Sequence, residues 1–297
     1  MIESAVIIAA DATTSMSPIL PDRPPILWPV LGKPMVLQAM EPLYRAGIRH
    51  FTLLLGMTDT SALNQLQRRW MPDARLNFAL KMPEETLPQA LERIAGEVIK
   101  SQDTPILVQN YNAFLDSEAQ EALFEAATSA DIVTAHYQPG TIAQPANEDA
   151  LAGVATLKPH LFQSLSKSSH ANTLRALLSN LNSHIPASAA IPANWAIHVQ
   201  TLQDLLQINT QLLANSPDSY ILSEVSANVR IVPPVHIDPQ VSIGQGAVIG
   251  PNVYLERGTR IGYRARVDHA IILDRGTVDA SQTVSQAIIT INGRLNI

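Results

Sequence analysis

Cysteine is absent from the 297 residues, which excludes disulfides and thiolate-metal sites outright. No apolar run approaches the ~20 residues that cross a bilayer, so no membrane partner is expected. Charged residues are sparse at 15%, and Lys and Arg gather nowhere along the sequence. With a formal net charge of -6, this argues against a nucleic-acid surface, which needs grouped cations facing phosphates. The opening residues, MIESAVIIAA, lack a basic leader and a small-residue cleavage site, and Glu3 interrupts them. They read as a strand, not a signal peptide, and point to a cytoplasmic protein. Apolar residues, by contrast, make up 46%, the composition of a globular protein with room for two domains.

Apolar runs and amphipathic stretches alternate along the first two thirds. Strands are expected at Ala5 to Ala10, Phe51 to Leu55, Leu76 to Leu80, Pro105 to Gln109, Ile132 to His136 and Ala152 to Leu157. Helices are expected at Met35 to Arg45, Ser61 to Trp70, Leu87 to Ile99, Asp116 to Ser129, Pro159 to Ser166, Thr173 to Leu181 and Thr201 to Leu213. Gln138 to Asp149, with a proline pair and a glycine, reads as a loop. This alternation implies a Rossmann-like α/β sheet, mixed but mainly parallel, with helices on both faces.

Glycine marks the boundary of a second domain: none lies between 154 and 243, and seven lie between 244 and 293. In that second region apolar residues recur every six positions. Ile231, Ile237, Ile243, Ile249, Leu255, Ile261, Val267 and Leu273 share one slot, and the register weakens where Asp279 would continue it. The pattern resembles the hexapeptide repeat of left-handed parallel β-helices, in which each short strand buries one aliphatic and small or polar residues turn the chain. The expected domains are therefore 1–214, a linker at 215–226, and a β-helix at 227–297.

The stretch Ala5 to Met35 carries a second resemblance. A strand, a polar loop, a proline-rich segment, the turn Gly32-Lys33-Pro34 and a helix follow one another. Ala9, Ala10, Thr14, Pro18, Asp22, Arg23, Pro24, Pro29, Gly32 and Pro34 stand where the sugar-phosphate nucleotidyltransferases (NDP-sugar pyrophosphorylases) have them. The chain thus resembles that family, several branches of which end in a left-handed β-helix. The resemblance implies a GT-A-type fold and a reaction joining a nucleoside triphosphate to a sugar 1-phosphate. Such chemistry rests on neutralising and positioning two phosphate groups, with backbone amides, Arg, Lys and Mg²⁺-holding carboxylates.

Those groups are the ones this sequence changes. Asp11 and Thr13 replace the two loop glycines, Ser15 replaces the arginine, and Pro25 replaces the lysine. The family's metal aspartates fall on Asn112 and His198, a pair poorly matched to hard, oxygen-seeking Mg²⁺. Ala152-Gly153 keeps the Ala-Gly that lies beside the sugar, though Leu151 stands where asparagine precedes it. The plain alternatives are a capped turn for Asp11 and Thr13, and side chains hydrogen-bonded across a disused cleft for Asn112 and His198. His236 and His269 read as exposed turn residues.

The expectation is a catalytically degenerate relative, a pseudoenzyme serving as a regulatory or structural subunit, with no catalytic residues and no cofactor. Its vestigial substrate cleft would be Asp11, Ser15, Arg23, Lys33 and Gly153, and its vestigial metal positions Asn112 and His198. It is expected to be a homo-oligomer, or a hetero-oligomer with an active relative, through the β-helix. Two alternatives stand beside it: an active sugar-1-phosphate nucleotidyltransferase with remodelled ligands and Mg²⁺, or a nucleotide- or sugar-binding module without turnover.

Overall fold

The computed structural model describes residues 2–10, 23–56, 66, 71, 73–99, 103–137, 151–168, 170–215 and 218–295. The chain packs as two compact units, neither of them continuous. One comprises 1–13 and 35–198, the other 14–34 and 199–297. The linear division at 214 expected from the sequence therefore differs from the packing. Segment 23–34 and the helix beginning at Leu202 belong with the β-helix.

The first unit is built on a seven-stranded sheet. Its strands are β1 (Ser4–Ile8), β2 (His50–Leu55), β3 (Arg75–Leu80), β4 (Ile106–Asn110), β5 (Ile132–Tyr137), β6 (Leu151–Leu157) and β7 (Ser188–Ala193). Their order is β7-β5-β6-β4-β1-β2-β3. All pairs are parallel except those of β6, which runs antiparallel to β4 and β5. The near-continuous apolar runs of β1 and β4 follow from burial on both faces. Val6, Ile8 and Val108 share a core with the apolar stripe of helix α2 (Leu87–Val98), which a Thr86–Gln89 capping box starts. Helix α1 (Met35–Arg45) buries Met35, Leu37 and Met40. Asp116 caps α3 (Ser117–Ala126), and Thr173 caps α4 (Leu174–His184). The expected helix at 159–166 is instead a 3-10 turn, Pro159–Gln163, followed by one short helix, Leu165–Ser168. The expected helix at 61–70 lies outside the described residues apart from Leu66, and the loop at 138–149 lies outside them altogether.

In the second unit, short strands pair in parallel with their equivalents one coil away. Arg230 pairs Val248, Val235 pairs Val253, and Ser242 pairs Arg260, each a step of 18 residues with three strands to a coil. This is a parallel β-helix, its interior filled by Ile237, Ile249, Leu255, Ile261 and Val267. Beyond Val267 the step becomes 17: Val253 pairs Ala270, and Arg260 pairs Thr277. Ile272, not Leu273, therefore pairs Leu255, and Val278 takes the slot that fixed spacing gives Asp279. The physical reason is one residue fewer at the corner, where His269 adopts a φ of +44°. Helix α5 (Leu202–Ala214), begun by a Thr201–Asp204 capping box, packs on the strands Arg266–Ile272 and Thr283–Thr290. Ile271 and Ile288, on the outside of the coil, are consequently buried.

Candidate functional site

At the carboxyl end of β4 the chain turns through Tyr111 and Asn112 into a three-residue strand, Ala113–Leu115, which pairs antiparallel with Ala196–His198. Asp116 holds this two-stranded ribbon from the side: Oδ1 accepts from the Ala119 N–H at 2.8 Å and Oδ2 from the Trp195 N–H at 3.2 Å. In the ribbon His198 pairs with Ala113, and its Nε2 lies 2.9 Å from Asn112 Oδ1. Asn110 Nδ2 stands 3.5 Å from the same nitrogen. Asn110 and Asn112 are both buried, and Asn110 Oδ1 has no hydrogen-bond partner among the described residues. Gly153, with φ +72°, leaves room for this cluster: a Cβ there would lie 3.2 Å from Asn110 Nδ2. The result is a group of two buried carboxamides and a part-buried imidazole, able to donate and accept hydrogen bonds. Among the described residues, no three His, Asp or Glu side chains are placed to hold a metal ion.

In the second unit, segment 23–34 is tied to the β-helix at two points. Arg23 Nη1 donates to Glu256 Oε1 at 2.8 Å, and Nη2 lies 3.8 Å from Asp274 Oδ2. Glu256 also accepts the Asp274 N–H at 2.8 Å. Burial pushes the Glu256 carboxyl above its usual range, and the Arg23 guanidinium holds it partly back. Pro25 opens a 3-10 turn, Pro25–Leu27, after which fully buried Trp28 donates its Nε1–H to the Arg23 carbonyl. The second tie is at Gly32. Its N–H faces the Tyr254 hydroxyl, which donates to Asp238 Oδ2 at 3.0 Å. Asp238 Oδ1 is 3.0 Å from His236 Nε2 and would sit 2.8 Å from any Cβ at position 32. Leu31 N–H donates to Asn209 Oδ1 of α5. Burial, with the Glu256 and Asp238 charges beside it, holds the Tyr254 hydroxyl well above its ordinary pKa.

Residues 4–147 match the family model described as nucleotidyl transferase, and residues 231–296 match the GMPPB C-terminal domain. Both parts of the chain are thus similar to the sugar-phosphate nucleotidyltransferases. Solved structures share the fold at low identity. HddC from Yersinia pseudotuberculosis is 14% identical with a TM-score of 0.54, covering 70% of this chain and 99% of its own. UDP-glucose pyrophosphorylase from Acinetobacter baumanii is 12% identical with a TM-score of 0.56, covering 73% and 95%. The inositol-1-phosphate CTP transferase from T. maritima is 11% identical with a TM-score of 0.54, covering 68% and 91%. No curated protein matches the sequence.

Within this nucleotidyltransferase frame the candidate residues fall into separate groups. Asn112 and His198 are brought into direct contact, with Gly153 close by against Asn110. Arg23 and Lys33 belong to the other unit, where Arg23 is engaged by Glu256 and Asp274. Asp11 and Ser15 lie outside the described residues. The Tyr254–Asp238–His236 chain was missed from sequence, because its members come together only when successive coils of the β-helix stack. His236 is accordingly part-buried in the strand Val235–Ile237, and His269 is part-buried at a bend within Arg266–Ile272, neither being the exposed turn residue expected.

Proposed function

We propose that this nucleotidyltransferase-like protein is catalytically degenerate and serves as a regulatory or structural subunit, assembling through its β-helix with copies of itself or with an active relative. The supporting observation is the 2.9 Å contact between Asn112 Oδ1 and His198 Nε2. By resemblance these are the positions of the Mg²⁺-holding aspartates. Here the carboxamide oxygen is satisfied by the imidazole, and the set offers no carboxylate. Mg²⁺ keeps near-ideal octahedral oxygen coordination and is held through carboxylates and substrate phosphates, so these residues do not fit it. The engagement of Arg23 by two carboxylates adds to the reading, since its charge is already balanced.

A cleft that still held its nucleotide would be stabilised by RT ln(1 + [L]/Kd), about 2.7 kcal/mol at a hundredfold excess over Kd. For a chain of this size that moves a melting curve by roughly 4–5 °C. The expected result is no such shift with millimolar ATP, GTP, UTP, CTP or dTTP and Mg²⁺. A saturable shift with one triphosphate, lost in Lys33→Ala, would overturn this reading in favour of a nucleotide-binding module.

A further inference from the structure

The sequence scatters its arginines, but a coil of 18 residues gathers them. Residues 227–297 hold seven Arg and no Lys. Arg230 pairs Val248 and Val248 pairs Arg266, so the two arginines stand in one column on one face of the β-helix. Two strand spacings of about 4.8 Å put them ~10 Å apart. Arg264 lies at the next corner of the coil, its guanidinium 4.9 Å from the Tyr263 ring, with Arg260 on the adjoining face. All four are exposed, and among the described residues none of them enters an ion pair. This is a fixed cationic stripe on a rigid surface.

The complementary charge lies in the same chain. Between 101 and 157 there is no Lys or Arg but eight Asp and Glu. Three of these, Glu118, Glu121 and Glu125, stand at i, i+3 and i+7 on the outer side of α3, opposite buried Ala119 and Leu123. All three are exposed, and none is in an ion pair among the described residues. At 1.5 Å per residue, Glu118 and Glu125 are ~10 Å apart, the spacing of Arg230 and Arg266.

We infer that the Arg230–Arg266 stripe docks the α3 acidic stripe of a second copy of this chain. The two patches differ, so the contact is head-to-tail and a docked pair keeps one free patch of each sign, giving a ring or an open chain. Arginine suits the role because its planar fork engages carboxylates two atoms at a time. The inference commits to self-association and stands whether or not the protein turns over substrate.

Sedimentation velocity on the full chain tests it. The expected result is association that grows with concentration and weakens in salt that shortens the screening length below ~10 Å. Arg230→Glu with Arg266→Glu, and separately Glu118→Arg with Glu125→Arg, should each weaken association by at least about tenfold, since like charges then face one another. Mixing the two variants should restore association, because each then supplies the face the other has inverted. Three results would overturn the inference: a monomer at all concentrations in low salt, association indifferent to either reversal, or two variants that fail to associate on mixing while keeping their melting temperatures.

Discussion

At the residue scale, Glu256 and Arg23 show how one buried charge fixes a distant segment. Glu256 is buried with Arg23 as its main cationic neighbour, and removing the guanidinium leaves that carboxylate uncompensated. Arg23→Met should therefore destabilise the protein by about 1–3 kcal/mol near neutral pH, a figure discounted because the Arg23 side chain is 34% exposed. The pH dependence has a definite sign. Burial raises the Glu256 pKa in the folded state, so its contribution is most favourable below the unfolded carboxyl value and is lost as pH rises through the folded one. Without Arg23 the folded pKa rises further, so the penalty of the substitution should shrink on acidification toward about pH 4. Urea titrations of both proteins across this range would check it, and a penalty that grows on acidification would contradict it. His136 has the opposite sign. Burial lowers its pKa, so its contribution is lost as pH falls. The Arg23 position was legible as part of a family pattern, but its partner was not. Glu256 is 233 residues away, and nothing local to either residue announces the pair.

Regular elements were the legible part of the fold, because their burial follows a period. The expected β1, β2, β4 and α1 match the structure to within about two residues, since runs buried on both faces and a 3.6-residue stripe are strong local signals. What stayed hidden was short and non-local. The strands Ala113–Leu115 and Ala196–His198 have three residues each, too few to show alternation, yet their pairing creates the Asn112–His198 contact. The β-helix register was legible to Val267 and was lost where the corner at His269 shortens the step from 18 to 17. Two glycines test the elements differently. At Gly250, φ is +103° and a Cβ would overlap the Val232 carbonyl oxygen, so Gly250→Ala should cost more than about 3 kcal/mol. At Gly96, an exposed interior position of α2 with nothing within 4 Å, Gly96→Ala should stabilise by about 0.5–1 kcal/mol. Chemical denaturation of both variants reads the two signs directly.

At the scale of the molecule, the two units interleave along the chain. Segment 23–34 and α5 pack with the β-helix, and Trp28, Leu205 and Ile208 are buried there. A chain ending at Ala214 should accordingly expose that apolar surface and lose soluble yield, whereas a β-helix that was a separable tail would leave a soluble, cooperatively melting remainder. Solubility and calorimetry on the shortened chain decide between these. If, as proposed, the nucleotidyltransferase frame persists here without its chemistry, the protein releases no pyrophosphate. The purified full-length protein is incubated with each nucleoside triphosphate, a panel of sugar 1-phosphates and Mg²⁺, and released pyrophosphate is quantified against a protein-free control. The account predicts release no greater than the control for every pair; robust, protein-dependent release with any one pair would contradict it.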